Sequence, residues 1–143
     1  MRINGILPCS FNNGDGCRYV VFLQGCSHHC DGCQNPDTWD FNGGYDYPIE
    51  AIAIDYKSRR YLDGITLSGG DPFFQHDECM KLLELLPDVN VWVYTGFEHE
   101  DICHTELAKK ADAIVTGKFI KELLCDGKMY GSSNQKIVRR KQT

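Results

Sequence analysis

Apolar positions along the chain come in short runs whose period changes from one run to the next. Arg18 to Gln24 holds Tyr19-Val20-Val21-Phe22-Leu23, an aromatic and β-branched run that predicts a strand. Ile49, Ile52, Ala53 and Tyr56 recur at helical spacing behind Pro48, a favoured first-turn residue. Ile65-Thr66-Leu67 predicts a short buried strand. Cys79, Leu82, Leu83 and Leu86 then form the face of a second helix, stopped at Pro87-Asp88. Val89 to Tyr94 reads as a strand, about Asp101 to Ala111 as a third helix, and Ala113-Ile114-Val115 as a further strand. The residues before the turn cluster Asn12-Asn13-Gly14-Asp15-Gly16 read as irregular, and from Glu122 onward the pattern is weak.

Strands alternating with helices at this spacing predict βα units and a mostly parallel sheet in a single domain over residues 1–143. About four to five parallel βα units cannot close an eight-stranded barrel, so the expected α/β fold is a partial, open βα barrel. The unusual residues all follow strand ends: the cysteine-rich loop after Leu23, Gly69-Gly70, Thr95-Gly96 and Gly117-Lys118. Parallel α/β folds bind ligands at that edge, which predicts one shared mouth.

Composition narrows the classes. The formal charge is −5, which argues against a nucleic-acid-binding surface, and the basic Arg139-Arg140-Lys141 reads as a solvated tail. No run approaches the length of a membrane span, and Met1 to Leu7 lacks an apolar leader core. Eight cysteines without such a leader predict reducing cytoplasm, with the thiols binding metal or left free. Cys79 and Cys103 fall in helical patterns as small packing residues, and Cys9, Cys17 and Cys125 lie near turns.

That leaves Cys26, Cys30 and Cys33, spaced by four and three residues in one loop. Three soft thiolates suit an iron–sulfur cube with one iron open to another ligand. The competing reading is a structural zinc site completed by His28, His29, Cys9 or Cys17. An open iron is completed by an amine-plus-carboxylate ligand. Gly69-Gly70 allows close backbone approach with carbonyls free for an ammonium group, Asp71 adds a negative charge, and Lys118 has the sign to meet a carboxylate. The plainer alternatives are a strand-to-helix turn at Gly69-Gly70, a helix cap at Asp71, a strand end at Thr95 and a solvated Lys118. Trp39 and Trp92 read as packing residues, and His28 and His29 as solvated loop residues.

Cys26-x-x-x-Cys30-x-x-Cys33 with Gly69-Gly70-Asp71-Pro72 one strand later resembles the radical S-adenosylmethionine (SAM) enzymes. Cys33-Gln34-Asn35-Pro36-Asp37-Thr38-Trp39 and Asn13-Gly14-Asp15-Gly16-Cys17-Arg18 resemble activases of glycyl-radical enzymes. With Trp92-Val93-Tyr94-Thr95-Gly96, Gly117-Lys118-Phe119 and Gly131-Ser132-Ser133-Asn134-Gln135, the chain is similar to the activating proteins of anaerobic (class III) ribonucleotide reductase.

The resemblance implies an oxidoreductase whose Cys26, Cys30 and Cys33 hold a [4Fe–4S] cluster, with SAM on the fourth iron. It implies reduction by a flavodoxin-type donor, cleavage of SAM, and hydrogen abstraction from a glycine of the anaerobic ribonucleoside-triphosphate reductase. Gly32, Cys33 and Gln34 are implied along SAM, Gly69, Gly70, Asp71 and Thr95 about its amino group, and Lys118 at its carboxylate. No side chain is implied as a general acid or base. The chain departs from the pattern at Gly32 and Gln34, where many members carry an aromatic, at Asp15 in place of proline, and at Thr116 in place of aspartate. Rival readings are an activase of a different glycyl-radical enzyme, a zinc-stabilised interaction module, and an electron carrier, which would normally use four protein ligands.

Overall fold

Four strands run parallel through the middle of one seven-stranded sheet in the computed structural model, which describes residues 1–30, 32–33, 36–125 and 130–140. In chain order the strands and helices are β1 Arg2–Ser10, β2 Arg18–Leu23, β3 Tyr45–Asp46, α1 Ile49–Ser58, β4 Gly64–Gly69, α2 His76–Glu84, β5 Val91–Tyr94, α3 His99–Ile102, α4 Glu106–Lys110, β6 Ala113–Thr116 and β7 Lys136–Arg139. The sheet order is β3-β1-β2-β4-β5-β6-β7. β2, β4, β5 and β6 are mutually parallel neighbours, while β1 and β7 flank them antiparallel.

Because the parallel strands follow one another in chain order, right-handed crossovers place their connecting helices on one face. Packing agrees. Tyr19, Val21, Leu23, Ile65, Leu67 and Val93 form a core with Ile52, Leu82, Leu83 and Leu107 from the helices. The alternate residues face the other way, where Trp92, Ala113 and Val115 pack with Tyr94, Tyr130 and Ile137. Both faces of the central strands are covered, which is why they read as nearly continuous apolar runs.

Arg18 is the exception in those runs, 1% exposed at the start of β2. Its guanidinium donates to Thr66 Oγ1, Asn90 Oδ1 and the carbonyls of Ile65 and Asn90 at 2.7–3.2 Å. Burial lowers its pKa, and Asp15, Asp63 and Asp112 oppose that shift. A buried charge without such bonds would be strongly unfavourable; with them Arg18 ties β2 to the starts of β4 and β5.

The structure corrects four sequence expectations. The supposedly irregular start is the nine-residue β1, and the weakly patterned tail contains β7. The third helix is two, α3 and α4, because Thr105 ends one and caps the next: its hydroxyl donates to the Ile102 carbonyl and accepts from Ala108 N–H. Cys9 and Cys17 are neither ligands nor free thiols but are bonded to each other, with Cα atoms 5.7 Å apart. Among the described residues, no helix is long and apolar enough to cross a membrane.

Candidate active site

The carboxyl ends of β2, β4, β5 and β6 lie at one edge of the sheet, and the site is built from the loops that leave them. Beyond Leu23, Gly25 N–H donates to Thr38 O and Cys26 N–H to Trp39 O, so the cysteine loop is held at its root by its own returning chain. Gln24, 3% exposed, reinforces this through Nε2 to the carbonyls of Asp37 and Asp40. At the end of β4, Gly69 adopts φ +93°, and Gly70 and Asp71 donate their N–H groups to Leu23 O and Gly25 O at 2.8 and 2.9 Å. A Cβ at Gly70 would overlap the Gly25 carbonyl. The glycine pair is therefore what lets the β4 turn press against the root of the cysteine loop.

A cavity of about 420 Å³ opens there. Cys26, Cys30 and Cys33 line it together with Gly69, Gly70 and Thr95. The thiols feel one another. Burial, chiefly, pushes Cys26 up to about 11, with Asp71, Cys30 and Cys33 adding to the rise and the His28 backbone N–H opposing it. Burial also raises Cys30, and the Phe119 backbone and the Lys118 charge pull it back. Iron would reverse these shifts by holding the sulfurs as thiolates.

The donor set fits an iron–sulfur cube better than a zinc ion. Its chemistry is three soft thiolates from one loop, the set that leaves a cube one open iron, although among the described residues no three His, Cys, Asp or Glu side chains are gathered into a metal-holding group. The four residues the sequence offered to complete tetrahedral zinc have other partners: Cys9 and Cys17 each other, His28 Asp71, and His29 the Trp39 ring at 4.7 Å. Cys125 also lies in the cavity wall, farther along the chain.

The other anticipated residues divide into wall and support. Thr95 is in the wall. Asp71 is behind it, 1% exposed, with its carboxylate accepting from Phe73 N, Thr95 Oγ1, Gly96 N and His28 Nε2 at 2.7–3.1 Å. It thereby acts as the N-cap of the Pro72–Gln75 turn and as a link between the loops after β2, β4 and β5. Lys118 is exposed and acts on Cys30 through its charge, while its carbonyl accepts from Asn134 Nδ2 at 2.8 Å. Gly32 is exposed, and a Cβ there would lie 3.1 Å from Lys121 Cβ. Gln34 lies outside the described residues. The Gly131–Gln135 stretch braces the β6 end, with Gln135 Nε2 donating to Gly117 O at 2.9 Å.

His28 departs from its sequence reading. Its side chain is only 8% exposed, its Nε2 lies 2.7 Å from Asp71 Oδ2, and its ring meets Phe97 edge-on at 4.6 Å. A Cβ on Gly96 would come within 2.6 Å of that ring. Asn12, Asn13, Tyr94 and Phe119 also line the cavity without having been anticipated. Asn13, Tyr94 and Phe119 fall in the stretches that carry the resemblance but were not singled out as site residues; their shared orientation depends on the sheet.

Comparison with known proteins agrees with this donor set. Residues 12–138 match the model of the 4Fe-4S single cluster domain family. The anaerobic ribonucleoside-triphosphate reductase-activating protein of Enterobacteria phage T4 is 36% identical over 96% of this chain and 93% of its own length. The chain belongs to this family of activating proteins. Similarly named relatives from Vibrio cholerae and Salmonella typhi are 34% and 31% identical, over 97% and 96% of this chain and 98% and 97% of theirs. The span matched by the 4Fe-4S family includes Cys26, Cys30 and Cys33, and the β4 glycine pair is hydrogen-bonded to the root of their loop.

Proposed function

We propose that this chain is a radical SAM activase that generates the glycyl radical of an anaerobic ribonucleoside-triphosphate reductase. One observation carries the reading: three thiols and the Gly69-Gly70 turn line a single cavity, in a chain whose relatives are named activating proteins of that reductase. When bound, the cluster and SAM supply the electron and the organic radical that removes hydrogen from a glycine Cα.

The protein's own residues bind and orient. Cys26, Cys30 and Cys33 hold three irons. Carbonyls of the Gly69-Gly70 turn receive the cofactor's ammonium group, with Thr95 beside them, while Asp71 holds Thr95, Gly96 and His28 in place. Gly32 and Cys33 would run along the cofactor, and Lys118 favours the Cys30 thiolate and would offer a counter-charge for a carboxylate at the rim. The chain-ordered parallel strands, with helices on one face, support an open βα barrel of radical SAM type whose free edge admits the partner's glycine. A flavodoxin-type protein is the proposed electron donor.

The test combines the anaerobically reconstituted, reduced chain with SAM and the purified reductase. A glycyl doublet in electron spin resonance, with 5′-deoxyadenosine released, is the expected result. Release of 5′-deoxyadenosine without the doublet would remove the reductase as partner, and no SAM cleavage would remove the activase reading.

A further inference from the structure

One wall of the cavity is supplied by neither the cysteine trio nor the β4 turn. Asn12 and Asn13 line it, carried on the segment between β1 and β2. That segment is enclosed by Cys9 and Cys17, eight positions apart, whose sulfurs are bonded. Both cysteines lie outside the cavity wall, so the bond acts on the site only through the segment it closes. Hydrogen bonds also tie the segment: Asp15 accepts from Arg18 Nη1 through its carbonyl at 3.2 Å and from Arg139 Nη1 through its carboxylate at 2.9 Å. Thr66 Oγ1 donates to Asn13 O and Ser10 Oγ to Asn13 Oδ1, both at 2.6 Å, and Cys17 N–H donates to Asp63 at 2.7 Å.

A [4Fe–4S] domain needs its ligand thiols reduced before the cluster is loaded. A disulfide in such a chain belongs to the class that is made and broken, not to the permanent staples of secreted domains. Exposure orders the two sulfurs: Cys9 is half-buried and Cys17 buried.

We propose that Cys9 and Cys17 form a reversible thiol-oxidation site that fastens the Asn12-Asn13 wall of the cavity. The oxidant is a low-molecular-weight disulfide. The more accessible Cys9 thiolate attacks one of its sulfurs, breaking that S–S bond, forming a mixed disulfide and releasing one small thiol. Cys17 then attacks the Cys9 sulfur, forming the Cys9–Cys17 bond and releasing the second small thiol. Two electrons and two thiol protons pass from the protein to the two released thiols, and a dithiol reductant reverses the sequence. Closing this short ring removes most of the freedom of residues 10–16 and presents the two asparagines in fixed positions.

The experiment equilibrates the cluster-loaded chain, without oxygen, in glutathione buffers of stepped oxidised-to-reduced ratio. Acid quenching, alkylation and peptide mass mapping follow. The expected result is a Cys9–Cys17 linked peptide, two hydrogens lighter, that appears and disappears with the ratio. Both thiols alkylated at every ratio, or a link that survives strong dithiol treatment, overturns the proposal. Backbone hydrogen exchange over residues 10–16 is expected to be roughly tenfold slower in the linked form. Equal exchange in the two forms overturns the fastening. The Cys9→Ser and Cys17→Ser variants should exchange like the reduced chain at every ratio; variants that keep the slow exchange overturn it too.

The consequence for SAM rests on the function proposed above. SAM is expected to bind the linked form several-fold more tightly, and equal affinity refutes a role for the wall in binding. SAM binding to neither form, with the redox-dependent link intact, would fail the SAM reading and leave the thiol site standing.

Discussion

Asp71 accepts from four donors on one buried carboxylate, and three of them belong to loops it holds together. Removing it leaves Thr95 Oγ1 and the N–H groups of Phe73 and Gly96 without their acceptor, each orphan costing about 1–3 kcal/mol. Asp71→Ala is therefore expected to lower the stability of the metal-free chain by about 3 kcal/mol or more in urea unfolding. A loss under about 1 kcal/mol would show that water replaces the carboxylate. His28→Gln should leave iron content nearly unchanged yet weaken SAM binding and alter the spin-resonance spectrum of the SAM-bound cluster, because it loosens the loop without touching a ligand. Cys26→Ser, by contrast, should abolish the cluster's visible absorption, with far-ultraviolet circular dichroism preserved.

Among the elements, the join between β4 and the cysteine loop is the most demanding. Gly70→Ala drives a methyl group into the Gly25 carbonyl, so the β4 turn must withdraw from the loop root. The expected outcome is a folded chain with at least tenfold weaker SAM binding, measured by calorimetry on the reconstituted protein. Unchanged affinity would separate the turn from the cofactor. The short α4 depends on its cap: Thr105→Ala removes the hydroxyl that accepts from Ala108 N–H and should cost about 1 kcal/mol. These element-level facts differ in how far they can be read from sequence. The α2 face, Cys79, Leu82 and Leu83, is a local periodic pattern and is buried as that pattern requires. The break between α3 and α4 is written in a single threonine whose helical neighbours mask it.

For the molecule as a whole, burial sets the response to alkali. Cys26 is raised from its ordinary value of 9 to about 11, burial together with Asp55 pushes the Tyr19 phenol up, and burial, with Arg18 opposing and Asp15 adding, does the same for Tyr94. All three stay protonated in the folded chain at pH values where the unfolded chain has lost those protons. Their contribution is fully present below about pH 9 and is lost as pH rises, the Cys26 share by about pH 11 and the phenol shares beyond it. Thermal unfolding of the metal-free chain should show a midpoint that falls steadily above about pH 9. A midpoint that rises over that range would contradict the burial of these groups.

Much of the site was legible because it is local. The spacing of Cys26, Cys30 and Cys33, the Gly69-Gly70 turn and the βα alternation each occupy a few consecutive residues, so sequence by itself determined the cysteine spacing, the alternation of strands and helices, and the strand-end turns that meet at one cavity. Contacts between residues far apart in the chain were decided only by tertiary structure. His28 meets Asp71 across 43 positions, and Arg18 meets Asn90 across 72. β1 and β7 become strands because the parallel sheet offers them edges to pair with, and Cys9 meets Cys17 because β1 and β2 lie side by side. Local patterns follow from the geometry of one turn or one strand; these pairings depend on where the folded sheet brings distant side chains, and no short window of sequence contains that information.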